Sequence, residues 1–238
     1  MENEANANKV YKINIQNISK AFRKKSILSN VSLTLKAGEC VGIIGMNGSG
    51  KTTLLNIICG EGSHFNGTIT INDTSTSLLK DKKLLSQTIG YIPQENPLIE
   101  DLSTYDNLRL WYCDSPLNMK EELENGVLHS LGIDEFLQTK VKNLSGGMKK
   151  RLSIGIALAK KPTFLVLDEP AAALDLVAKN IIHTYLNSYK TSGGGICIAT
   201  HDEEELALCD RVFVLKDKSL HQIDKNIRGN LLIKEIMA

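Results

Sequence analysis

Residues 40–55 read CVGIIGMNGSGKTTLL, and this stretch decides the fold. Its first five residues are nearly all apolar, which is typical of a short strand buried on both faces. Three glycines then fall within six residues, and the segment from Thr52 reads as the opening of a helix. A buried strand, a glycine-rich loop and a helix in that order predict an α/β fold with a mainly parallel sheet.

The loop from Gly45 to Thr52 fits the pattern G-x-x-x-x-G-K-[ST], in the required place between a strand and a helix. Glycines permit positive φ angles and close approach of the backbone, so successive N–H groups can hold phosphate oxygens at a helix N-terminus. Lys51 can reach the β- and γ-phosphates, and Thr52 can bind Mg²⁺. The expected nucleotide contacts are Gly45, Asn47, Gly48, Ser49, Gly50, Lys51, Thr52 and Thr53.

Strand and helix patterns alternate along the rest of the chain. Alternating apolar and polar residues predict half-buried strands over 10–18, 31–35 and 67–72. Apolar runs predict buried strands over 164–168, 196–200 and 212–215. From about Leu98 to Val141 helical patterns dominate, as in STYDNLRLWY and MKEELENGVLHSLGI, so we expect a helical insertion within the α/β domain.

Composition and charge narrow the class of protein. The chain has 238 residues with 28 basic and 27 acidic side chains, and its net charge of +1 gives no support for a nucleic-acid partner. The five cysteines are widely spaced without a CxxC pair, which favours a reducing compartment over disulfides or a zinc site. No signal-peptide core and no apolar run of ~18–20 residues is present, so we expect that the chain alone is not a transporter.

Two acids follow the apolar run at 164–167. Residues 164–169 read FLVLDE, so Asp168 and Glu169 stand at the end of a predicted strand. Asp168 would hold Mg²⁺ directly or through water. Glu169 would polarise the attacking water as a general base. A strand that ends in two acids is common by itself, and the phosphate loop upstream is what favours the catalytic interpretation.

A second glycine-containing turn, residues 144–148 (LSGGM), precedes the helical segment KKRLSIGIALAKK and is a further anion site. With the phosphate loop and FLVLDEP it resembles the LSGGQ signature of the ATP-binding-cassette (ABC) ATPases, over roughly residues 10–224. The resemblance implies an ABC-type ATPase core of the P-loop NTPase fold. That core has a mainly parallel sheet, an antiparallel β subdomain and a helical subdomain at about 95–150. We expect residues 1–9 to be a disordered tail and 225–238 a short extension.

The resemblance also implies roles for single residues. Gln94, after the strand IGYIP, matches the Q-loop, which contacts Mg²⁺ and water, and Asp175 matches the D-loop of the nucleotide site. His201 matches the histidine that contacts the γ-phosphate, and Phe22 matches the aromatic residue that stacks on adenine, worth roughly 1–3 kcal/mol. Their alternatives are a strand-end amide for Gln94, a structural histidine for His201 and a core residue for Phe22. Stacking hardly distinguishes bases, which leaves GTP as an alternative to ATP.

In this family the signature of one cassette faces the phosphate loop of a second, so that two ATP molecules lie in a head-to-tail dimer. The resemblance implies that Ser145, Gly146 and Gly147 bind the γ-phosphate held by a partner cassette, either identical or related. A lone chain would then bind ATP but hydrolyse it poorly. We expect a transport-coupled ATPase at the cytoplasmic side of the cell membrane, peripheral beneath separate integral membrane permease subunits.

Several alternatives stay open. The compact chain resembles subunits of bacterial exporters, including those for peptides or antimicrobials, without excluding importers or a soluble iron–sulfur assembly ATPase. Met148 replaces the usual signature glutamine, and residues 171–173 and Leu176 depart from the D-loop pattern, which bears on rate but removes no catalytic group. Residues 149–151 (KKR) are interpreted as a solvated helix face. Trp111 is interpreted as packing inside the helical insertion, with docking of a helix from the membrane partner as its alternative.

Overall fold

The computed structural model describes residues 11–23, 25–72, 78–95 and 97–237. The predicted disordered tail, residues 1–9, lies outside these residues. In chain order the strands are β1 (Lys12–Phe22), β2 (Lys25–Lys36), β3 (Cys40–Ile44), β4 (Asn66–Ile71), β5 (Ile89–Ile92), β6 (Phe164–Asp168), β7 (Gly195–Ala199), β8 (Arg211–Lys216) and β9 (Ser219–Ile223).

The larger sheet has the strand order β5-β6-β7-β3-β8-β9 in the described part of the chain. The pairs β5–β6, β6–β7, β7–β3 and β3–β8 are parallel, while β9 returns antiparallel to β8 at the edge. The predicted mainly parallel sheet is therefore confirmed. Gly195 begins β7 instead of belonging to the turn before it. Strand β9 has no clear apolar pattern because it is an edge strand without a fully buried residue.

The smaller sheet is antiparallel, in the order β2-β1-β4, and it forms the antiparallel β subdomain that the resemblance implies. Its strands β1 and β2 are longer than the alternation of residue types indicates. The pairing shifts register between Ile15 and Ile18, and Asn17 and Asn30 have positive φ angles of 54° and 53°. Such bulges change which face a side chain occupies, so a simple period of two ends there although the strand continues.

The helices are, in chain order, α1 (Lys51–Ile58), α2 (Lys82–Thr88), α3 (Thr104–Tyr112), α4 (Met119–Glu124), α5 (Val127–Ser130), α6 (Gly146–Ala157), α7 (Leu176–Thr191), α8 (Glu203–Ala207) and α9 (Gly229–Met237). Short 3₁₀ segments cover Leu78–Lys80, Asp134–Phe136 and Val141–Asn143. The helical pattern that begins at Met119 divides into α4 and α5. It breaks at Asn125 and Gly126, where the Glu122 carboxylate accepts the Val127 N–H at 2.8 Å.

The core lies on both sides of the parallel sheet. Strand β3 alternates between the two sides: Val41 and Ile43 face the antiparallel sheet and α1, while Cys40 and Ile44 face the helices of the other layer. Every residue of β3, β6 and β7 is buried, as expected for parallel strands covered on both faces. The carboxyl ends of these three neighbouring strands therefore meet at one edge of the sheet, which brings together the residues that follow them.

The C-terminal helix α9 packs on the domain through Leu232, which is buried. The proposed domain limits at residues 10 and 224 stay a prediction. Within the described ranges, every helix is too short or too polar to cross a bilayer.

Candidate functional site

The phosphate loop connects β3 to α1. Gly50 is the N-cap of α1 in a left-handed conformation, with φ 111°, and no side chain caps the first turn. A Cβ atom on Gly50 would lie 2.9 Å from Cγ2 of Ile27, so both the φ angle and the space require glycine here. The first backbone N–H groups of α1 thus remain free of side-chain acceptors, and with the helix dipole they form an anion site.

Lys51 is buried at the start of α1. Its ammonium donates to the carbonyl oxygens of Gly45 at 2.8 Å and Met46 at 3.3 Å, and it lies 3.0 Å from Nε2 of His201. Burial lowers the pKa of Lys51, while the carboxylates of Glu169 and Asp168 oppose that shift. The loop therefore holds a cation above its own backbone amides, where phosphate oxygens can be bound from two sides.

His201 follows β7 and meets this lysine across the site. Burial lowers the pKa of His201, and the Lys51 ammonium adds to the effect, so the imidazole is neutral at pH 7. An ammonium can only donate, so Nε2 accepts from Lys51 and the proton of the neutral ring sits on Nδ1.

Asp168 ends β6 and is almost fully buried. Burial raises the pKa of Asp168, and a hydrogen bond from the Thr52 side chain acts in the opposite direction. Among the described residues, Oδ2 of Asp168 has no hydrogen-bond partner. A buried carboxylate oxygen without a partner, next to a threonine hydroxyl, is a donor set that suits Mg²⁺.

Glu169 and Gln94 face each other at the mouth of the site. Nε2 of Gln94 donates to Oε2 of Glu169 at 3.2 Å, while Oε1 of Glu169 lies 3.7 Å from Nε2 of His201. Glu169 has a positive φ of 48°, a strained conformation that turns the chain sharply at the strand end. Its carboxylate is thereby aimed at the cleft that the phosphate loop lines.

One cleft of about 350 Å³ collects most of the sequence-predicted residues, and Phe22 stands half-exposed at its wall. Lys20 Nζ lies 4.7 Å from the centre of the Phe22 ring. The alternative of a core position for Phe22 is therefore wrong. The residues that line the cleft are Phe22, Ile27, Asn47, Gly48, Gly50, Lys51, Thr52, Thr53, Gln94 and Glu169.

The signature turn lies elsewhere. Ser145 caps α6 by accepting the Met148 N–H at 3.2 Å, and Ser145 and Gly146 are exposed. Gly147 packs against α7 so closely that a Cβ on it would lie 2.6 Å from Cβ of Ala178. Asp175 caps α7 through the Ala178 N–H at 2.9 Å. Of these signature and D-loop residues, none lines the cleft of its own chain in the part that the structure describes.

The comparisons with known proteins decide the family. The family model described as "ABC transporter" matches residues 28–172, more than half of the chain. The chain belongs to the ABC transporter family. It is an ATP-binding protein and ATPase of that family, with the P-loop NTPase fold, so the resemblance drawn from the motifs is confirmed.

Individual relatives of this ABC ATPase agree. It is 34% identical over 209 residues to the lipopolysaccharide export system ATP-binding protein LptB of Escherichia coli (strain K12), covering 86% of this chain and 87% of LptB. It is 35% identical over 203 residues to the linearmycin resistance ATP-binding protein LnrL of Bacillus subtilis (strain 168), covering 84% of this chain and 65% of LnrL. A dimeric post-hydrolysis structure of the ATP-binding cassette MJ0796, bound to ADP and Pi, is similar with a TM-score of 0.77. Its identity is 28%, and the match covers 91% of this chain and 99% of that one.

Two residues of the basic cluster in this ABC ATPase differ from the expectation. The cluster at 149–151 was expected to be a solvated face, but Lys150 is buried and donates to the carbonyl oxygens of Pro93 at 2.9 Å and Gln94 at 3.1 Å. Burial lowers the pKa of Lys150 to about 8. Arg151 also turns inward and donates to the Leu131 carbonyl at 2.9 Å. No signal in the sequence distinguishes Lys150 from Lys149, which pairs with the exposed Glu100 at 3.3 Å.

Trp111 of the ABC ATPase is half-exposed and lines a second cleft of about 450 Å³ with Tyr91, Leu98 and Ile156. The interpretation of Trp111 as a residue packed inside the helical insertion is therefore wrong. The cleft lies where β5 and α6 approach α3, between the sheet and the helical part of the chain.

Proposed function

We propose that this chain is the ATPase subunit of an exporter, in which two cassettes pair head to tail beneath separate membrane permease subunits. The observation that carries the proposal is the separation of its two anion sites. The phosphate loop lines one cleft, while Ser145 and Gly146 stand exposed at the N-terminus of α6 and do not line it. A signature that cannot reach its own nucleotide is explained when it binds the γ-phosphate held by a second cassette.

Within each site the residues of this chain divide the work. The loop amides and Lys51 bind the phosphates, and Phe22 offers its exposed face to the base. Glu169 accepts a proton as water oxygen forms its bond to the γ-phosphorus, and the bond from phosphorus to the ADP oxygen breaks. Neutral His201 contacts the γ-phosphate from the far side, and Gln94 orients Glu169 through the hydrogen bond at 3.2 Å.

The residues present also fit Mg²⁺. We propose that Asp168, Thr52 and Gln94 hold it, because Asp168 Oδ2 is buried without a partner and Thr52 already contacts the same carboxylate. A bound Mg²⁺ would neutralise charge on the β- and γ-phosphate oxygens.

The transport side of the proposal rests on the relatives. LptB belongs by name to an export system, and LnrL to resistance against linearmycin, which favours export over import. The word resistance in the second name supports an antimicrobial compound as the substrate, and neither name supports a peptide. The half-exposed Trp111 in its cleft is a suitable anchor for a helix from the permease, which would hold the cassette at the cytoplasmic side of the membrane.

Mixing two inactive variants tests the paired arrangement. Lys51→Ala removes the phosphate-loop cation, and Ser145→Arg blocks the signature. In a mixed pair one composite site keeps an intact loop from one chain and an intact signature from the other. We expect each variant alone to be inactive and the equimolar mixture to regain up to about a quarter of the wild-type rate. A mixture as inactive as its components would overturn pairing between identical chains.

The transport assignment has its own test. The chain, tagged and recovered from membranes of its source organism, should bring down a polytopic membrane protein. Replacement of Trp111 by Ala should reduce that recovery, whereas replacement of exposed Tyr11 should not. Recovery with soluble scaffold proteins alone would favour the iron–sulfur assembly alternative and overturn the transport proposal.

A further inference from the structure

Two buried polar atoms face each other behind the hydrolysis site. Glu205 on α8 is almost fully buried, and its Oε1 has no hydrogen-bond partner among the described residues. His183 on α7 is mostly buried, and within the same described ranges its Nε2 has none either. The two atoms are 3.9 Å apart. Each atom lacks a hydrogen-bond partner, and a carboxyl and an imidazole can share one proton between them.

The other oxygen of Glu205 connects to the end of β7. Its Oε2 accepts from the Thr200 hydroxyl in a short hydrogen bond, and the Thr200 oxygen accepts the Asp202 N–H at 2.9 Å. Thr200 directly precedes His201. Glu205 therefore supports the backbone from which the γ-phosphate histidine projects.

Glu205 also acts on the turn that follows Glu169. Glu205 and Ala171 line one small cleft together with Glu169, and the backbone N–H of Ala171 favours the ionised form of the Glu205 carboxyl. Glu169 and Ala173 at its two ends both have positive φ, at 48° and 58°. A residue with a Cβ atom in this conformation costs about 1 kcal/mol or more, so surrounding groups must hold the turn in place.

We propose that Glu205 is a positioning residue of the hydrolysis site, which holds the Ala171 turn and the end of β7 together, and that His183 shares its proton. This inference rests on the proposed ATPase function of the same site. It adds that the buried pair of Glu205 and His183 controls how rigidly the backbone holds Glu169 and His201.

The charged groups around the pair decide where it titrates. Lys179 faces it from α7, Asp202 and Glu204 from the N-terminal end of α8, and Lys150 from α6. Burial raises the pKa of Glu205 to about 7 and lowers the pKa of His183, so the two affinities for a proton approach each other. Above pH 7 the ionised Glu205 accepts more strongly from Thr200 and attracts the Ala171 N–H, and the turn tightens. Below pH 7 the protonated carboxyl is a weaker acceptor, and the turn loosens.

Titration of the nucleotide-free chain by NMR tests the pair without requiring any ATP hydrolysis. The ring nitrogen signals of His183, assigned by their loss in His183→Gln, should show an inflection as Glu205 titrates near pH 7. Glu205→Gln should remove or displace that inflection, whereas Glu203→Gln on the same helix should not. Identical His183 titration in wild type and Glu205→Gln would overturn the shared proton.

The catalytic arm uses kcat and KM for ATP between pH 6 and 8. We expect Glu205→Gln to lower kcat at pH 8 by about tenfold, to flatten its rise with pH, and to leave KM within twofold. Thr200→Val should reproduce the loss and Thr200→Ser should restore it. These two Thr200 variants also test the positioning role if Glu205→Gln does not fold. An unchanged kcat profile in Glu205→Gln or in Thr200→Val would overturn the positioning role. A wild-type chain without ATPase activity would contradict the proposed function. The NMR titration would still show whether Glu205 and His183 share a proton.

Discussion

The ammonium of Lys150 lies 3.1 Å from the backbone carbonyl oxygen of Gln94 and joins the signature helix α6 to the loop after β5. The same ammonium donates a second hydrogen bond, to the Pro93 carbonyl oxygen at 2.9 Å. Gln94 also contacts Glu169 through its side chain. We expect these bonds to transmit any movement of Gln94 on nucleotide binding to the helix that begins at the signature.

Lys150→Met should weaken this connection, because it leaves two carbonyl groups without their donor. We expect a loss of about 1–3 kcal/mol in the free energy of unfolding and a several-fold lower kcat. Lys149→Met is the matched control, since its partner Glu100 is exposed and such pairs contribute less than about 1 kcal/mol. Denaturant unfolding and steady-state ATPase assays compare the two. Equal losses in both variants would contradict the assigned role of Lys150.

Glu169→Gln should keep nucleotide binding but lower kcat by about a hundredfold or more, because the amide cannot take the proton of the attacking water. The hydrogen bond from Gln94 can persist, so the geometry of the site is retained. If two cassettes pair as proposed, hydrolysis no longer separates them in this variant, which should therefore migrate as a dimer with ATP in size-exclusion chromatography. Glu61→Gln serves as the control, because Glu61 does not line the cleft of the phosphate loop. Turnover at the wild-type rate would falsify the general-base assignment.

Lys51→Ala should weaken the binding of ATP by at least about tenfold, the scale of one hydrogen bond to a charged group. The fluorescence of a labelled ATP analogue, titrated against the chain, measures this directly. Lys83→Ala removes an exposed lysine and should leave the affinity unchanged. Wild-type affinity in Lys51→Ala would count against the phosphate-loop assignment.

Phe22→Ala should reduce nucleotide affinity by about 5- to 150-fold, which corresponds to the 1–3 kcal/mol of one base stacked on an aromatic ring. Phe22→Tyr keeps the ring and should bind within about twofold of wild type. Competition between ATP and GTP in the same titration reports base selectivity, which stacking alone leaves small. Loss of affinity in both variants alike would show that the ring is not the contact.

Acid should remove stability through the pair formed by Asp202 and Lys179. Burial by itself would raise the pKa of Asp202, but the hydrogen bond from Lys179 at 2.5 Å and the N–H groups of Glu204 and Glu205 bring it below its ordinary value. A lowered carboxyl pKa stabilises the fold above the unfolded-state pKa of about 3.9 and loses that effect as pH falls through the folded value.

Asp202→Asn should therefore lower the free energy of unfolding by roughly 1 kcal/mol at pH 7 and converge with wild type near pH 2. Denaturant titrations across this range measure the difference. Asp101→Asn, in a far more exposed pair with Lys142, should show no such pH-dependent gap. A constant difference between wild type and Asp202→Asn at all pH values would contradict the ionic contribution.

The chemistry of this chain could be predicted because its binding groups are consecutive in sequence. The phosphate loop, the pair Asp168 and Glu169, and the signature turn each act through neighbouring backbone and side-chain groups at the end of one strand or the start of one helix. The buried strands could be predicted for a similar reason, since covering both faces of a parallel sheet demands an apolar run. The sequence alone thus determined the family and the fold class, and it predicts which residues bind the nucleotide.

Only the tertiary structure decided how these parts are coupled. Lys150 and Lys149 are adjacent and chemically identical, yet one is enclosed against the Q-loop and the other meets solvent, because α6 presents them to different neighbours. Glu205 and His183 lie on different helices, 22 positions apart, and become a pair only where α7 and α8 pack behind the sheet. Burial and contact at such separations depend on the positions of whole elements, which local residue patterns do not contain.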